Sequence, residues 1–227
     1  MQRRGIWELA PVAECWKVTG KAPVHTRWVD TNKGRPDIPD VRCRLVARDF
    51  KGGRDDRDDL FAATPPLEAL RLILHLAATN QPNNKHFKLM TNDVSRAYFY
   101  APIKPGQHIY VQLPAEDKGP GEEDMCGKLN FSMYGTRSAA TNWQAHYTKV
   151  LVQNGFVVGI ANNCTFHNIE KNIYCMVHGD DFVSTGNDES LKWLEAILAK
   201  EFKIKSSKIG PDKSCLLYTS PSPRDRG

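Results

Sequence analysis

An α+β protein with a mostly antiparallel sheet is the architecture this sequence predicts. Three observations carry the reading. Strand-like and helix-like segments are interspersed without a regular βαβ repeat. The strand-like runs are short and several alternate, as in Ile109, Val111 and Leu113. The helix-like runs repeat apolar residues at helical spacing, as in Leu67, Leu70, Leu74 and Ala77.

The elements follow in order. Val24 to Asp30 and Val41 to Phe50 read as strands flanking a loop with Gly34, Pro36 and Pro39. Gly52 to Asp59 is polar loop. Thr64-Pro65 opens a helix, with threonine as cap and proline in the first turn. Phe87 to Val94 is a strand that contains Asp93, and Gln107 to Leu113 is another. Lys118 to Asp124 is a glycine- and acid-rich loop. Ser138 caps a helix whose apolar face is Ala139, Trp143, Tyr147, Val150 and Leu151, stopped by Gly155. Trp143 is assigned to the core. Cys164 to Asn168, Ile173 to Val177 and Phe182 to Thr185 are short strands. Asn187 then caps a helix carrying Leu191, Leu194, Leu198 and Phe202.

Composition narrows the function classes. Of 227 residues, 41% are apolar, enough for a packed core. The most apolar run, Leu70 to Ala78, is interrupted by Arg71 and His75 and falls far short of the ~20 residues that span a bilayer. No membrane partner is therefore expected, and Met1 to Leu9 lacks the apolar stretch of a secretory signal. Six cysteines occur without a C-x-x-C pair, so neither a zinc site nor a disulfide framework is indicated. The net charge of +5 is concentrated in residues 1–54, which hold 12 Lys/Arg against 6 Asp/Glu. A basic N-terminal third suits a polyanion partner, or is simply a solvated basic surface.

Two carboxylate motifs carry the chemistry. In Val177-His-Gly-Asp-Asp-Phe-Val183, two apolar strands meet at a short turn with adjacent aspartates. Gly179 suits the turn because positive φ costs it little. Asp93 lies at the end of the Phe87 to Val94 strand, ahead of Ser95-Arg-Ala-Tyr98-Phe99 and a short helical turn. Three carboxylates from two strand tips can hold two metal ions roughly 4 Å apart for in-line phosphoryl transfer. The plainer readings are a surface turn for Asp180 and Asp181 and a helix cap for Asp93.

Four blocks in order give the chain a family resemblance. Arg27-Trp-Val29 with Arg42-Cys-Arg-Leu-Val-Ala-Arg48-Asp-Phe50 is similar to a basic fingers segment. Asn92-Asp-Val-Ser-Arg-Ala-Tyr98-Phe99 resembles a first catalytic motif. Met133-Tyr-Gly135-Thr-Arg137 followed by Trp143 resembles the block Leu-Tyr-Gly-Leu-Lys-Gln…Trp. His178-Gly-Asp-Asp181 stands where Tyr-Val-Asp-Asp is usual. Together these resemble the reverse transcriptase domain of copia-type LTR retrotransposons, over roughly 7–212. The departures are His178 for Tyr, Gly179 for Val and Ser138 for Gln. The Gly-Asp-Asp pairing is also that of viral RNA-dependent RNA polymerases.

The resemblance implies a right-hand polymerase reduced to fingers (about 7–86 and part of 114–137) and palm, with the thumb missing. It implies RNA-directed DNA polymerisation, with Asp93, Asp180 and Asp181 as catalytic ligands of two Mg²⁺, for which Mn²⁺ can substitute. Arg42, Arg44, Arg48 and Arg137 would contact triphosphate or template phosphates. Tyr98 would lie below the sugar as a steric gate. The implied partners are an RNA or DNA template with primer and deoxynucleoside triphosphates, with integrase and RNase H in the full polyprotein. The implied location is the cytoplasm, in a virus-like particle, or the nucleus. A second reading is a truncated or decayed transposon remnant that at most binds nucleic acid. Cys215 to Asp225 resembles the translation of a sequencing-library adapter, so 215–227 is set aside as non-native, and 213–227 is expected to be disordered.

Overall fold

The computed structural model describes residues 4–35, 37–50, 62–79 and 87–209. In chain order, β1 (Trp7–Pro11), α1 (Val12–Thr19), β2 (Thr26–Asn32) and β3 (Val41–Ala47) come first. Next are α2 (Leu67–Ala78), β4 (Lys88–Val94), a 3-10 turn (Ala97–Tyr100), β5 (Tyr110–Gln112) and β6 (Met125–Leu129). Then follow α3 (Ala139–Gln153), β7 (Val157–Val158), β8 (Thr165–Asn168) and β9 (Ile173–His178). The last are β10 (Asp181–Gly186), α4 (Asp188–Glu201) and β11 (Ile204–Ile209). All strand pairs named here are antiparallel, as the sequence predicts for an α+β chain.

The chain divides into two units, one of residues 1–62 and 96–147 and one of 63–95 and 148–227. In the first, β1, β6 and β5 form a three-stranded sheet in that order, and β2 pairs β3 as a ribbon. Its core gathers Ile6, Trp7, Leu45, Ala47, Val111, Leu113, Leu129 and Met133. Gly127 is required at the centre, because a Cβ there would come within 2.9 Å of the Trp7 ring. The ribbon is tied down at its base. Val24 N–H donates to the Tyr110 carbonyl, and Ala47 N–H donates to the Tyr134 carbonyl at 2.7 Å.

In the second unit, six strands run in the order β11-β4-β10-β9-β8-β7. β4 is interior, and it buries Leu89, Met90, Asn92 and Val94 of its sequence Lys-Leu-Met-Thr-Asn-Asp-Val. α2 lays Ala69 and Ile73 on Leu89 and Met176, with Val183 beside them. α4 buries Leu191, Leu194 and Leu198. Its cap is the expected one: Asn187 accepts from the Ser190 N–H at 2.8 Å.

Several elements differ from the sequence reading. α2 starts at Leu67, with Pro66 rather than Thr64 at the cap position and no side-chain cap. Two consecutive prolines disfavour helical φ/ψ on the residues before them, which delays the helix. β3 stops at Ala47, so Arg48 lies just past the strand. β1, α1, β6, β7 and β11 were not anticipated. α1 is only 8 residues, and β7 only 2, too short for a period to show. Gly52 to Asp59 and residues 215–227 lie outside the described residues.

Candidate active site

Strand register brings the three sequence-predicted carboxylates together. Asp93 on β4 is directly opposite Asp181 on β10. Val94 N–H donates to the Asp180 carbonyl at 2.9 Å, closing the ladder at the tip. β9 and β10 are joined by the two residues Gly179 and Asp180, and Gly179 takes φ +63°. A positive φ at the first turn position only is the pattern of a type II′ hairpin. Asp93 lies within a strand, so the alternative of a helix cap is not met.

The same register extends across four strands. Lys205 of β11 is opposite Asp93, and His178 of β9 is opposite Asp181. Cross-strand partners share a face of the sheet. One row therefore reads Lys205, Asp93, Asp181, His178. Leu89, Val183 and Met176 share this face, so α2 covers its far end and leaves the aspartates open. Lys205 was missed because β11 was not foreseen; its sequence, Ile-Lys-Ser-Ser-Lys-Ile, carries no strand alternation.

The electrostatics mark the spot. The Asp181 carboxyl is held above the usual carboxylate range by burial first, then by the charges of Asp180 and Asp93; His178 opposes this. Three hard-oxygen donors in mutual repulsion suit a divalent cation in chemistry. Among the described residues, no group of three or more His, Cys, Asp or Glu side chains is already positioned to hold a metal ion. Exposed aspartates reach new rotamers without backbone movement, so the donor set fits while fixing no coordination geometry.

The other predicted site residues belong to the first unit. On the ribbon, Arg44 is opposite Val29, Arg42 opposite Thr31 and Arg27 opposite Val46. These three arginines share one face, and Arg27 is the member that alternation within β3 alone did not show. Leu45 and Ala47 on the other face are buried. Arg42 makes an exposed ion pair with Asp40 at 3.3 Å, and the Arg48 guanidinium lies 5.5 Å from the Phe50 ring centre. Tyr98, in the 3-10 turn, is half-buried and packs against Tyr134 with ring centres 4.7 Å apart and planes tilted by 53°. Arg137 is half-buried, and its N–H donates to Asp49 Oδ2 at 3.0 Å. Ser138 occupies the cap position of α3, but its hydroxyl caps nothing. Trp143 is buried, as assigned.

Residues 13–215 match the family described as reverse transcriptase (RNA-dependent DNA polymerase). The chain belongs to the reverse transcriptase family. This reverse transcriptase domain is 26% identical over 223 residues to the retrovirus-related Pol polyprotein from transposon TNT 1-94 of Nicotiana tabacum, covering 95% of the chain and 16% of the relative. It is 24% identical over 188 residues to that from transposon RE2 of Arabidopsis thaliana, covering 80% of the chain and 12% of the relative. A protease–reverse transcriptase of prototype foamy virus aligns with TM-score 0.46 and 16% identity, over 92% of this chain and 22% of that one. The chain thus spans 12% to 16% of the length of these curated plant relatives. The copia-type retrotransposon family read from the four sequence blocks is borne out by these transposon Pol relatives.

Proposed function

We propose that this domain catalyses RNA-directed DNA synthesis within a retrotransposon Pol polyprotein. The observation that carries the reading is the cross-strand pairing of Asp93 with Asp181, with Asp180 in the adjoining turn. In this assignment residues of about 7–86 and part of 114–137 are the fingers, and the remainder to about 212 is the palm.

Asp93, Asp180 and Asp181 would hold two Mg²⁺, or Mn²⁺ in their place. When bound, the divalent ions supply Lewis-acid activation of a primer 3′-hydroxyl and neutralise charge on the triphosphate. The protein's part is to place three carboxylates on rigid strand tips. The β4–β10 ladder fixes their backbones, and buried Phe182 and Val94 fix the strands from the opposite face. Arg27, Arg42 and Arg44 present guanidinium groups on one face of the ribbon, suited to phosphate oxygens. Arg48 and Arg137 are further phosphate contacts, and the Tyr98 ring is the sugar gate. The substrates are deoxynucleoside triphosphates and a primed RNA or DNA template, read by backbone and shape. Integrase and RNase H belong to the same polyprotein.

Primer extension on an RNA template tests the reading, with deoxy- and ribonucleotides supplied in separate reactions. Deoxynucleotide extension that needs Mg²⁺ and is lost in Asp180→Asn is expected. Extension by Asp180→Asn near the parent level removes the carboxylate assignment, and a preference for ribonucleotides makes the enzyme an RNA polymerase.

A further inference from the structure

β11 is an edge strand of the six-stranded sheet, and its apolar pattern specifies its place poorly. It reads Ile-Lys-Ser-Ser-Lys-Ile, apolar only at its two ends. Register is strongly fixed where a strand buries an alternating apolar face, and weakly fixed on a polar strand. Yet this register decides what stands beside the carboxylates. As paired, Lys205 is opposite Asp93 and Ser206 is opposite Asn92. A slip of one residue turns Lys205 to the other face and sets Ile204 or Ser206 opposite Asp93.

The face of β11 turned to α4 carries a polar device that resists such a slip. Asn92 of β4 is fully buried, and its Nδ2 donates to Ser206 Oγ at 2.9 Å. The Ser206 hydroxyl hydrogen-bonds in turn to the Glu195 carboxylate of α4, which also takes the Lys208 ammonium of β11. Ser206 and Lys208 alternate with Lys205 and Ser207, so both lie on the face away from Lys205. β4 and α4 thus grip β11 at two successive positions of one face. Burying the amide is costly, because Asn92 Oδ1 has no hydrogen-bond partner among the described residues. An apolar side chain of like size would avoid that cost. What the amide supplies instead is a directional bond to one residue of a polar strand, and fixing register is the best-attested use of a buried polar group.

On the other face, Lys205 is exposed, and the register places its ammonium in the row that holds Asp93 and Asp181. A fixed positive charge there opposes a divalent cation on the same carboxylates. For charges about 10 Å apart in water, one ammonium lowers the affinity for a divalent ion about threefold at about 10 mM salt. The effect shrinks towards none by about 200 mM, where the screening length falls below that separation.

We propose that Asn92 is a positioning residue: through Ser206 it holds β11 in the register that keeps Lys205 beside Asp93, and so it sets the affinity of the carboxylates for a divalent cation. Asn92 itself touches neither ion nor substrate. The inference rests on the carboxylate assignment above, from which it takes the metal. It adds to that assignment a residue on the buried face of β4 and a charge on β11.

The test is a titration of the full chain with Mn²⁺ alone, the free ion being followed by electron paramagnetic resonance, at about 10 and about 200 mM salt. The variants are Lys205→Gln, Asn92→Leu, the isosteric pair Ser206→Thr and Ser206→Val, and Asn92→Leu combined with Lys205→Gln. Lys205→Gln should tighten Mn²⁺ about threefold at the lower salt, and the difference should shrink at the higher. Asn92→Leu and Ser206→Val should move the affinity the same way, by up to that amount. Ser206→Thr keeps the hydroxyl and should match the parent. Asn92→Leu should add nothing once Lys205 is replaced, since both act through one charge. Ser206 is exposed, so its two variants decide the question even if Asn92→Leu does not fold. Asn92→Leu and Ser206→Val that bind Mn²⁺ as the parent does, or more weakly, overturn the positioning role. So does an Asn92→Leu shift that persists in the Lys205→Gln background. Unchanged affinity in Lys205→Gln removes the charge through which Asn92 acts and overturns the proposal as well. A parent that binds no Mn²⁺ overturns the carboxylate assignment together with this one. A parent that gives the expected pattern yet extends no primer overturns the polymerase reading and upholds the role of Asn92.

Discussion

Replacing Asp181 with Asn should make the protein more stable without metal and inactive with it. Asp181 has like charge on two sides, Asp93 across the ladder and Asp180 in the turn; burial first, and then both charges, push its carboxyl pKa up. Like charges directly opposite in a sheet cost roughly 0.2–1 kcal/mol each. The residue is exposed, so solvent screening keeps the sum near the low end, about 0.5 kcal/mol for the two neighbours. For a chain of this size that is a rise of about 1–2 °C in the unfolding midpoint. Magnesium should reverse the order. At about tenfold over its dissociation constant a ligand adds roughly 1.4 kcal/mol to a protein that binds it. The parent should gain that amount and the variant little or nothing. Thermal unfolding of both proteins, with and without Mg²⁺, is the assay, with primer extension run alongside. Extension should fall on the order of 10³-fold, since several kcal/mol of transition-state stabilisation are lost at 1.36 kcal/mol per tenfold. A variant less stable than the parent without metal, or an equal Mg²⁺ shift in the two, refutes the charge-cluster argument even if activity is lost.

Three further outcomes follow from single positions. Gly135 has φ +84°, and a Cβ there would run into the Ala47 carbonyl and the Val46 side chain. Gly135→Ala should therefore cost about 3 kcal/mol or more in denaturant unfolding, whereas Gly179→Ala, at φ +63° with open space around it, should cost only about 1. Asn187→Ala removes the bond to the Ser190 N–H and should cost about 1 kcal/mol, read as a midpoint shift in chemical denaturation. Tyr98→Ala should raise ribonucleotide incorporation more than it lowers deoxynucleotide use in single-nucleotide extension; unchanged sugar discrimination leaves the ring as a packing partner of Tyr134 alone.

The sequence was most legible where one physical signal acts alone. α4 combines a long apolar period with an Asn cap, and it starts where that cap places it. β4, β9 and β10 are short runs bounded by polar turns, and Gly179 marks the hairpin between the last two. Legibility failed where tertiary partners decide. β6, Met-Cys-Gly-Lys-Leu, contains a glycine and a lysine and has weak strand propensity, yet β1 and β5 pair with it on both sides. β11 is a lysine- and serine-rich edge strand, a composition that suits an exposed edge but conceals a strand from period counting. The apolar stripe of α2 was legible from its period, but not its partners, Leu89 and Met176 of the six-stranded sheet.

The functional residues divide by the same rule. Asp180 and Asp181 are adjacent in sequence and needed only a turn to be recognised. Asp93 lies far away along the chain, and only the antiparallel pairing of β4 with β10 sets it opposite Asp181. A register shift of one residue would turn Asp93 to the other face and bring Asn92 into its place. The buried side chains of that opposite face prevent the shift. Met90 and Val94 are fully buried, and the slip would turn them to the open face while burying Asp93. At roughly 25 cal/mol per Å² of apolar surface, exposing two such side chains outweighs any gain from separating like charges at the tip. The carboxylates are thus held in mutual repulsion by apolar residues one position away in sequence. The core residues of β4 and β10 are part of the site's specification, although none of them touches a substrate.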